Sequence, residues 1–320
     1  MAAGPPFAVA APGTGPPGPG EGARADGARE TPGPEHARSA GRAWPAAASS
    51  ALYDIVSGPF RPSRILGVSR LAVYLEIEDP HEATVIALLA RDAVRLPNGL
   101  VLVDTQSVGP FADVAEATSV RIGRCSAVFD GPTGPRTVRA GRWWRPPLPR
   151  TARPDRLAAA AAELDRALRG AAGGLPAAAA DPLDADLARP DAAEEACRRL
   201  VGLGPGLTPS GDDLLCGYLL AARHLGAPAA ADALAAAVRR AAPATTALSA
   251  DLLRHAAAGR ACPQAVGVLD ALSGRAPLAP ALRALRGIGH TSGTDLALGL
   301  SAGARAALRS AGTHDTGSSP

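Results

Sequence analysis

Along residues 71–77, Leu71, Val73, Leu75 and Ile77 alternate with Ala72, Tyr74 and Glu76, the period of two expected of a strand with one buried face. Short apolar runs follow at "VIALL", "AVRL", "LVLV", "SVRIG" and "TVRAG", with turn signals at "PNG" (97–99) and "DGPTG" (130–134). Pro146, Pro147 and Pro149 close this stretch. Beyond it the period becomes helical. Leu157, Ala161, Leu164 and Leu168 mark one face of a first helix, and a Gly/Pro/Ala linker runs over 170–190. The pattern then predicts helices near 191–201, 211–225, 229–241, 246–258, 263–273, 279–286 and 293–309, most bounded by Gly or Pro. The expectation is an α+β fold, a mostly antiparallel β-domain over 49–150 followed by a helical domain over 151–310. Residues 1–48 and 311–320 have compositions that bury too little apolar surface to offset chain entropy, and are expected to be disordered.

Composition narrows the function more by exclusion than by assignment. With 320 residues, 47% of them hydrophobic, the chain has material for substantial cores. A net charge of +3 without a basic block, and 3% aromatics, argue against nucleic-acid binding. All 33 basic residues are arginine, so neither a P-loop lysine nor a Schiff-base amine exists. Cys125, Cys197, Cys216 and Cys262 are dispersed, without zinc-site spacing or a disulfide framework. No apolar run reaches the length of a membrane span and the N-terminus lacks a basic signal region, so the expected location is cytoplasmic, with no membrane partner.

The chemistry concentrates in "GLGPGLTPSGDDLLCGYLL" (202–220), where Gly202, Gly204, Gly206 and Gly211 precede and open a helix. Thr208 and Ser210 suit a helix start, and Asp212 and Asp213 in its first turn face the positive end of the dipole. Capping explains the aspartates but leaves more glycines than a helix connection needs. A second copy, "GIGHTSGTDLALGL" (287–300), repeats the form S-G-x-D-L-x-x-G: Ser210, Gly211 and Asp213 match Ser292, Gly293 and Asp295, and Gly217 matches Gly299. Two such helix starts at one cavity would offer backbone N–H donors to an anion and carboxylates to a proton or metal. The candidates are Asp212, Asp213, His290 and Asp295 for catalysis, with Gly204, Gly206, Thr208, Ser210, Gly211, Thr291, Ser292 and Gly293 for binding. Thr246 and Ser249, in "TTALSADLLRHAAAG" (245–259), are further binding candidates as well as caps, and His255 lies in the same segment.

These three segments, in this order and after "LPNGLVL" in the β-rich part, resemble the AllH-like family over roughly residues 60–308. The resemblance implies a subunit of an oxamate carbamoyltransferase of allantoin degradation and purine catabolism, working with FdrA-like and AllG-like subunits. Its reaction would pass a carbamoyl group between oxalurate and phosphate, giving oxamate and carbamoyl phosphate. A small anionic substrate calls for a cationic clamp, yet neither glycine loop contains arginine. Two alternatives stand beside this reading: a non-catalytic assembly or regulatory subunit, and a stand-alone enzyme holding Mg2+ with Asp212, Asp213 and Asp295. The sequence fixes no cofactor.

Overall fold

The computed structural model describes residues 43–77, 84–132, 134–149 and 154–315. Eight strands form its first part: β1 (Trp44–Ser49), β2 (Arg61–Val68), β3 (Ala72–Ile77), β4 (Thr84–Leu89), β5 (Gly99–Leu102), β6 (Ser119–Gly123), β7 (Ser126–Asp130) and β8 (Arg136–Trp144). They close into a barrel in the order β1-β5-β4-β3-β2-β6-β7-β8. The β1–β8 and β4–β5 pairs are parallel and the others antiparallel, in keeping with the expected mostly antiparallel domain. Closure leaves an interior filled by Val73, Leu75, Ile77, Ile86, Leu88 and their neighbours.

β4 reads as an unbroken apolar run because it is buried on both faces. Ile86 and Leu88 point into the barrel, whereas Ala87 and Leu89 join Ala72 and Val101 in a separate cluster on its outer surface. The expected strand "AVRL" (93–96) is corrected to a connection. Because β5 runs parallel to β4, the chain must cross back between them, and Ala93 and Leu96 pack on the outer cluster during that return.

The expected boundaries shift at both ends. Residues 1–42 lie outside the described residues, but Trp44–Ser49 is a barrel strand, held between β5 and β8, where Ala46 and Ala48 are small enough to enter the core. A short helix, α1 (Tyr53–Ser57), follows it. At the other end, residues 311–315 continue the last helix, and 316–320 fall outside the described residues.

Eight helices follow the barrel: α2 (Pro154–Leu168), α3 (Pro190–Leu200), α4 (Ser210–Leu225), α5 (Pro228–Ala241), α6 (Ala247–Ala257), α7 (Pro263–Leu272), α8 (Leu278–Arg286) and α9 (Ser292–Asp315). Prolines open α3, α5 and α7 at positions whose N–H has no intrahelical partner, and Gly226 ends α4 with a left-handed φ of 115°. α4 is the centre of this region, with Leu214, Leu215, Tyr218 and Leu219 all in the helical core. Beside it lies α9, so close that a Cβ on Gly299 would stand 2.0 Å from the Leu214 carbonyl oxygen, and one on Gly217 2.2 Å from that of Leu296. The expected linker at 170–190 is more than a spacer. It includes 3-10 turns over Ala177–Asp184, and Leu183 and Leu187 are buried in the helical core.

The outer cluster of the barrel faces α6 and its neighbours. Asn98, fully buried in the "PNG" turn, donates through Nδ2 to the Val85 carbonyl (3.0 Å) and to Asp251 Oδ2 of α6 (2.7 Å). The amide therefore joins a barrel turn to the helical region through a buried, charge-assisted bond.

Candidate functional site

The repeated motif folds as two similar half-structures. In each, a helix ends, a glycine loop turns, and a new helix begins with Ser-Gly. An added Cβ on Gly211 would lie 2.0 Å from the carbonyl oxygen of Leu200, the last residue of α3; one on Gly293 would lie 2.0 Å from that of Leu285, near the end of α8. Glycine at both positions is a matter of close approach. The loops meet where Thr208 Oγ1 stands 3.2 Å from Ser292 Oγ.

The expected helix-start amides are mostly spent. Gly211 N–H donates to Leu203, and those of Asp212 and Asp213 to Pro209. In the second half Gly293 donates to Ile288, and Thr294 and Asp295 to Thr291. Gly204 and Gly206 have φ of 117° and 95°, so they shape the loop; Gly206 is exposed and its missing Cβ faces open space. Thr246 Oγ1 donates to the Leu207 carbonyl (2.6 Å) and accepts from Ser249 N–H (3.1 Å), and Ser249 Oγ reaches the same carbonyl at 3.4 Å. Both hydroxyls secure the first loop to α6.

The aspartates divide by environment. Asp212 is 1% exposed and accepts from Gly202 N–H (3.0 Å) and from the Thr245 hydroxyl; burial raises its pKa, and these bonds lower it only in part. Asp295, also buried, accepts from the Gly174 N–H at 3.0 and 3.2 Å, so the segment read as a linker lies across the second helix start. Asp213 is different. Its Oδ2 is buried without a hydrogen-bond partner, and burial pushes its pKa up to about 8, with the Ser292 hydroxyl opposing that shift and the Asp295 and Asp212 carboxylates adding to it. Near neutral pH this side chain is largely a carboxylic acid.

Asp213 lines a cavity of about 310 Å3 between the outer barrel face and α4, α6, α7 and α9. Thr208 and Ser292 line it too, and they are the other two expected site residues it brings to Asp213. The barrel supplies Leu71, Tyr74 and Leu89, and the helices Leu220, Leu252 and Leu296. His290 is exposed and Thr291 is partly buried, and neither lines the cavity. Cys216 and Cys262 do, but burial raises both thiol pKa values, so they are inert apolar lining at neutral pH.

The cation missing from the glycine loops comes from elsewhere. Arg260, in the α6–α7 connection, lines the cavity, and its Nε donates to His255 Nδ1 at 2.9 Å. Burial, with the Arg260 and Arg254 cations beside it, depresses the His255 pKa to about 3, so the ring is neutral and free to accept that bond. Its Nε2 lies 3.8 Å from Asp251, the carboxylate that Asn98 and Arg254 hold. Arg260 is a site residue that sequence spacing did not reveal. Among the described residues, no three His, Cys, Asp or Glu side chains converge as metal ligands, and no helix is long and apolar enough to cross a membrane.

Residues 200–304 match the family model described as oxamate carbamoyltransferase subunit AllH. The match spans both glycine loops, α4 to α8, most of α9 and Arg260, and leaves the barrel outside it. No solved structure matches the chain.

Proposed function

We propose that this chain, AllH-like over residues 200–304, is a subunit of an oxamate carbamoyltransferase-like enzyme, and that its cavity holds a small anionic substrate, oxalurate or carbamoyl phosphate. The observation that supports it most is the presence, in the lining of one cavity, of the buried, unpartnered Oδ2 of Asp213 and of Arg260. Arg260 offers its planar fork to a carboxylate or phosphate, held in place by His255. Thr208 and Ser292 add hydroxyls at the join of the two loops. The glycine-rich helix starts then serve as the frame of this anion site, and the guanidinium supplies the charge.

The reaction asks for one proton at one atom. A phosphate oxygen attacks the ureido carbon of oxalurate and forms the new C–O bond. The C–N bond to the oxamate nitrogen breaks, and that nitrogen must gain a proton. Asp213, largely protonated near neutral pH, is placed in this reading as the donor; the proton that hydrogen phosphate gives up on becoming carbamoyl phosphate restores the acid, and in the reverse direction the Asp213 carboxylate takes the proton from oxamate. FdrA-like and AllG-like subunits would complete the site.

A second reading, an assembly subunit, is favoured by Leu203 and Leu207, which are 42% and 40% exposed on the first glycine loop and would suit a protein partner. The test is Arg260→Gln, with oxalurate phosphorolysis measured in the assembled enzyme and oxamate binding measured on the full chain. At least tenfold loss in both, with unchanged thermal unfolding, is expected. Unchanged turnover, together with loss of assembly in Leu207→Asp, would replace the enzymatic reading with the second one.

A further inference from the structure

The two copies of the motif place Asp213 and Asp295 at equivalent backbone positions, each donating its N–H to the residue four before it, Pro209 at 3.1 Å and Thr291 at 2.9 Å. Only one of the two has both carboxyl oxygens occupied. The Gly174 peptide N–H sits on both oxygens of Asp295, whereas Asp213 Oδ2 is buried, unpartnered and part of the cavity wall. The chain thus carries at one half-site an amide that occupies both carboxyl oxygens, and at the other only the Ser292 hydroxyl, with Oδ2 left to the cavity.

We propose that Asp213 holds the primary amide end of the cavity's ligand, as Asp295 holds the Gly174 amide, which makes it the residue that selects a carbamoyl or carboxamide group over a carboxylate. This rests on the reading of the cavity as the substrate site. A carboxylic acid and a primary amide pair head to tail, the acid O–H donating to the amide carbonyl and the amide N–H donating to the acid carbonyl oxygen. Both partners are then satisfied without a net charge being buried. A carboxylate ligand in the same place sets one anion against another once Asp213 ionises. The raised Asp213 pKa fits this role, since it keeps the O–H available at neutral pH. The titratable groups around it are Asp212 and Cys216 on its own helix, Asp295 on α9, Cys262 ahead of α7, and Arg260 and Tyr74 in the cavity wall, the tyrosine pKa being raised by burial.

Oxamate and oxalate differ only by an amide in place of a carboxylate, and serve as the probes. Calorimetry on the full chain at pH 7 should show oxamate binding at least tenfold tighter than oxalate, with the ratio growing at pH 9. Asp213→Asn keeps an amide-pairing group that cannot ionise, so its oxamate affinity at pH 7 should stay within about threefold of the original while the growth of the oxamate-to-oxalate ratio at pH 9 disappears. Asp213→Leu should lose oxamate affinity by tenfold or more, and circular dichroism would verify its helices. Equal binding of the two probes by the unaltered chain, or undiminished oxamate binding by a folded Asp213→Leu, would overturn the assignment of Asp213 and leave the cavity as a substrate site. Failure of both probes to bind the unaltered chain would overturn the cavity reading, and this assignment with it.

Discussion

The Asn98 side-chain amide donates to Asp251 Oδ2 across 2.7 Å, both residues being nearly inaccessible to solvent, at 0% and 3% exposure. Burial raises the Asp251 pKa, and Arg254 and Asn98 hold it down. Asn98→Ala removes one of those partners and leaves a buried carboxylate short of a donor, a loss of about 2 kcal/mol in urea unfolding. Asn98→Asp sets a second carboxylate against the first and should cost more. Equal stability of all three proteins would show that the bond contributes nothing.

Gly217 and Gly299 face each other between α4 and α9, their Cα atoms at a separation that admits no methyl group. Alanine at either position forces the helices apart, at a cost of about 3 kcal/mol or more. The melting temperature should fall by roughly 6 °C or more. A fall under 2 °C would mean that the pair slides without losing its packing.

The pH dependence of stability has a sign set by Asp213. Its pKa is 3.8 as an ordinary carboxyl and about 8 in the folded chain, so between these values the folded state keeps a proton that the unfolded chain has released. Its contribution is complete below the lower value and is lost as pH rises toward the higher one, with a slope of at most about 1.4 kcal/mol per pH unit. His255 works in the opposite sense and lower down: depressed from 6.5 to about 3, it gives a contribution that is lost as pH falls through that window. Above pH 6.5 the His255 contribution is flat, so Asp213→Asn should make the unfolding free energy less dependent on pH between 6.5 and 8. An unaltered slope would place the Asp213 proton elsewhere.

β1 is a structural strand and not a tail. A chain beginning at Ala43 retains it, and one beginning at Ser50 loses the segment that pairs with both β5 and β8. The shorter chain should melt at least 10 °C lower by calorimetry, because an opened barrel exposes its interior. Equal melting would show that β1 is dispensable.

The helices were legible because proline and glycine punctuate them and leucine marks their faces, so their expected bounds lie within two residues of those observed from α3 to α8. Several strands were not. "WPAAAS" has neither alternation nor β-branched residues, and it is a strand only because β5 and β8 leave it a place. The β6–β7 hairpin turns at Arg124 and Cys125 with φ of 50° and 57°, and lacks the Asn-Gly signal by which such turns are recognised. Of the site, Asp213 and the loop pairing could be read from the repeat. Arg260 could not, since it lies 47 positions from Asp213 along the chain and only the fold brings both to one cavity. The Gly174 amide was hidden for a different reason: Gly/Pro/Ala composition reads as a spacer, and only the backbone N–H carries the contact.

The closed order of the barrel bears on how another protein can attach. Each of the eight described strands has neighbours on both sides, so none is a sheet edge along its whole length to which a foreign strand could be added. In the proposed assembly, a companion subunit would recognise side chains and loop shape instead. Such recognition changes with single surface substitutions, so matched pairs of subunits can diverge from one another while the backbone of the barrel stays the same.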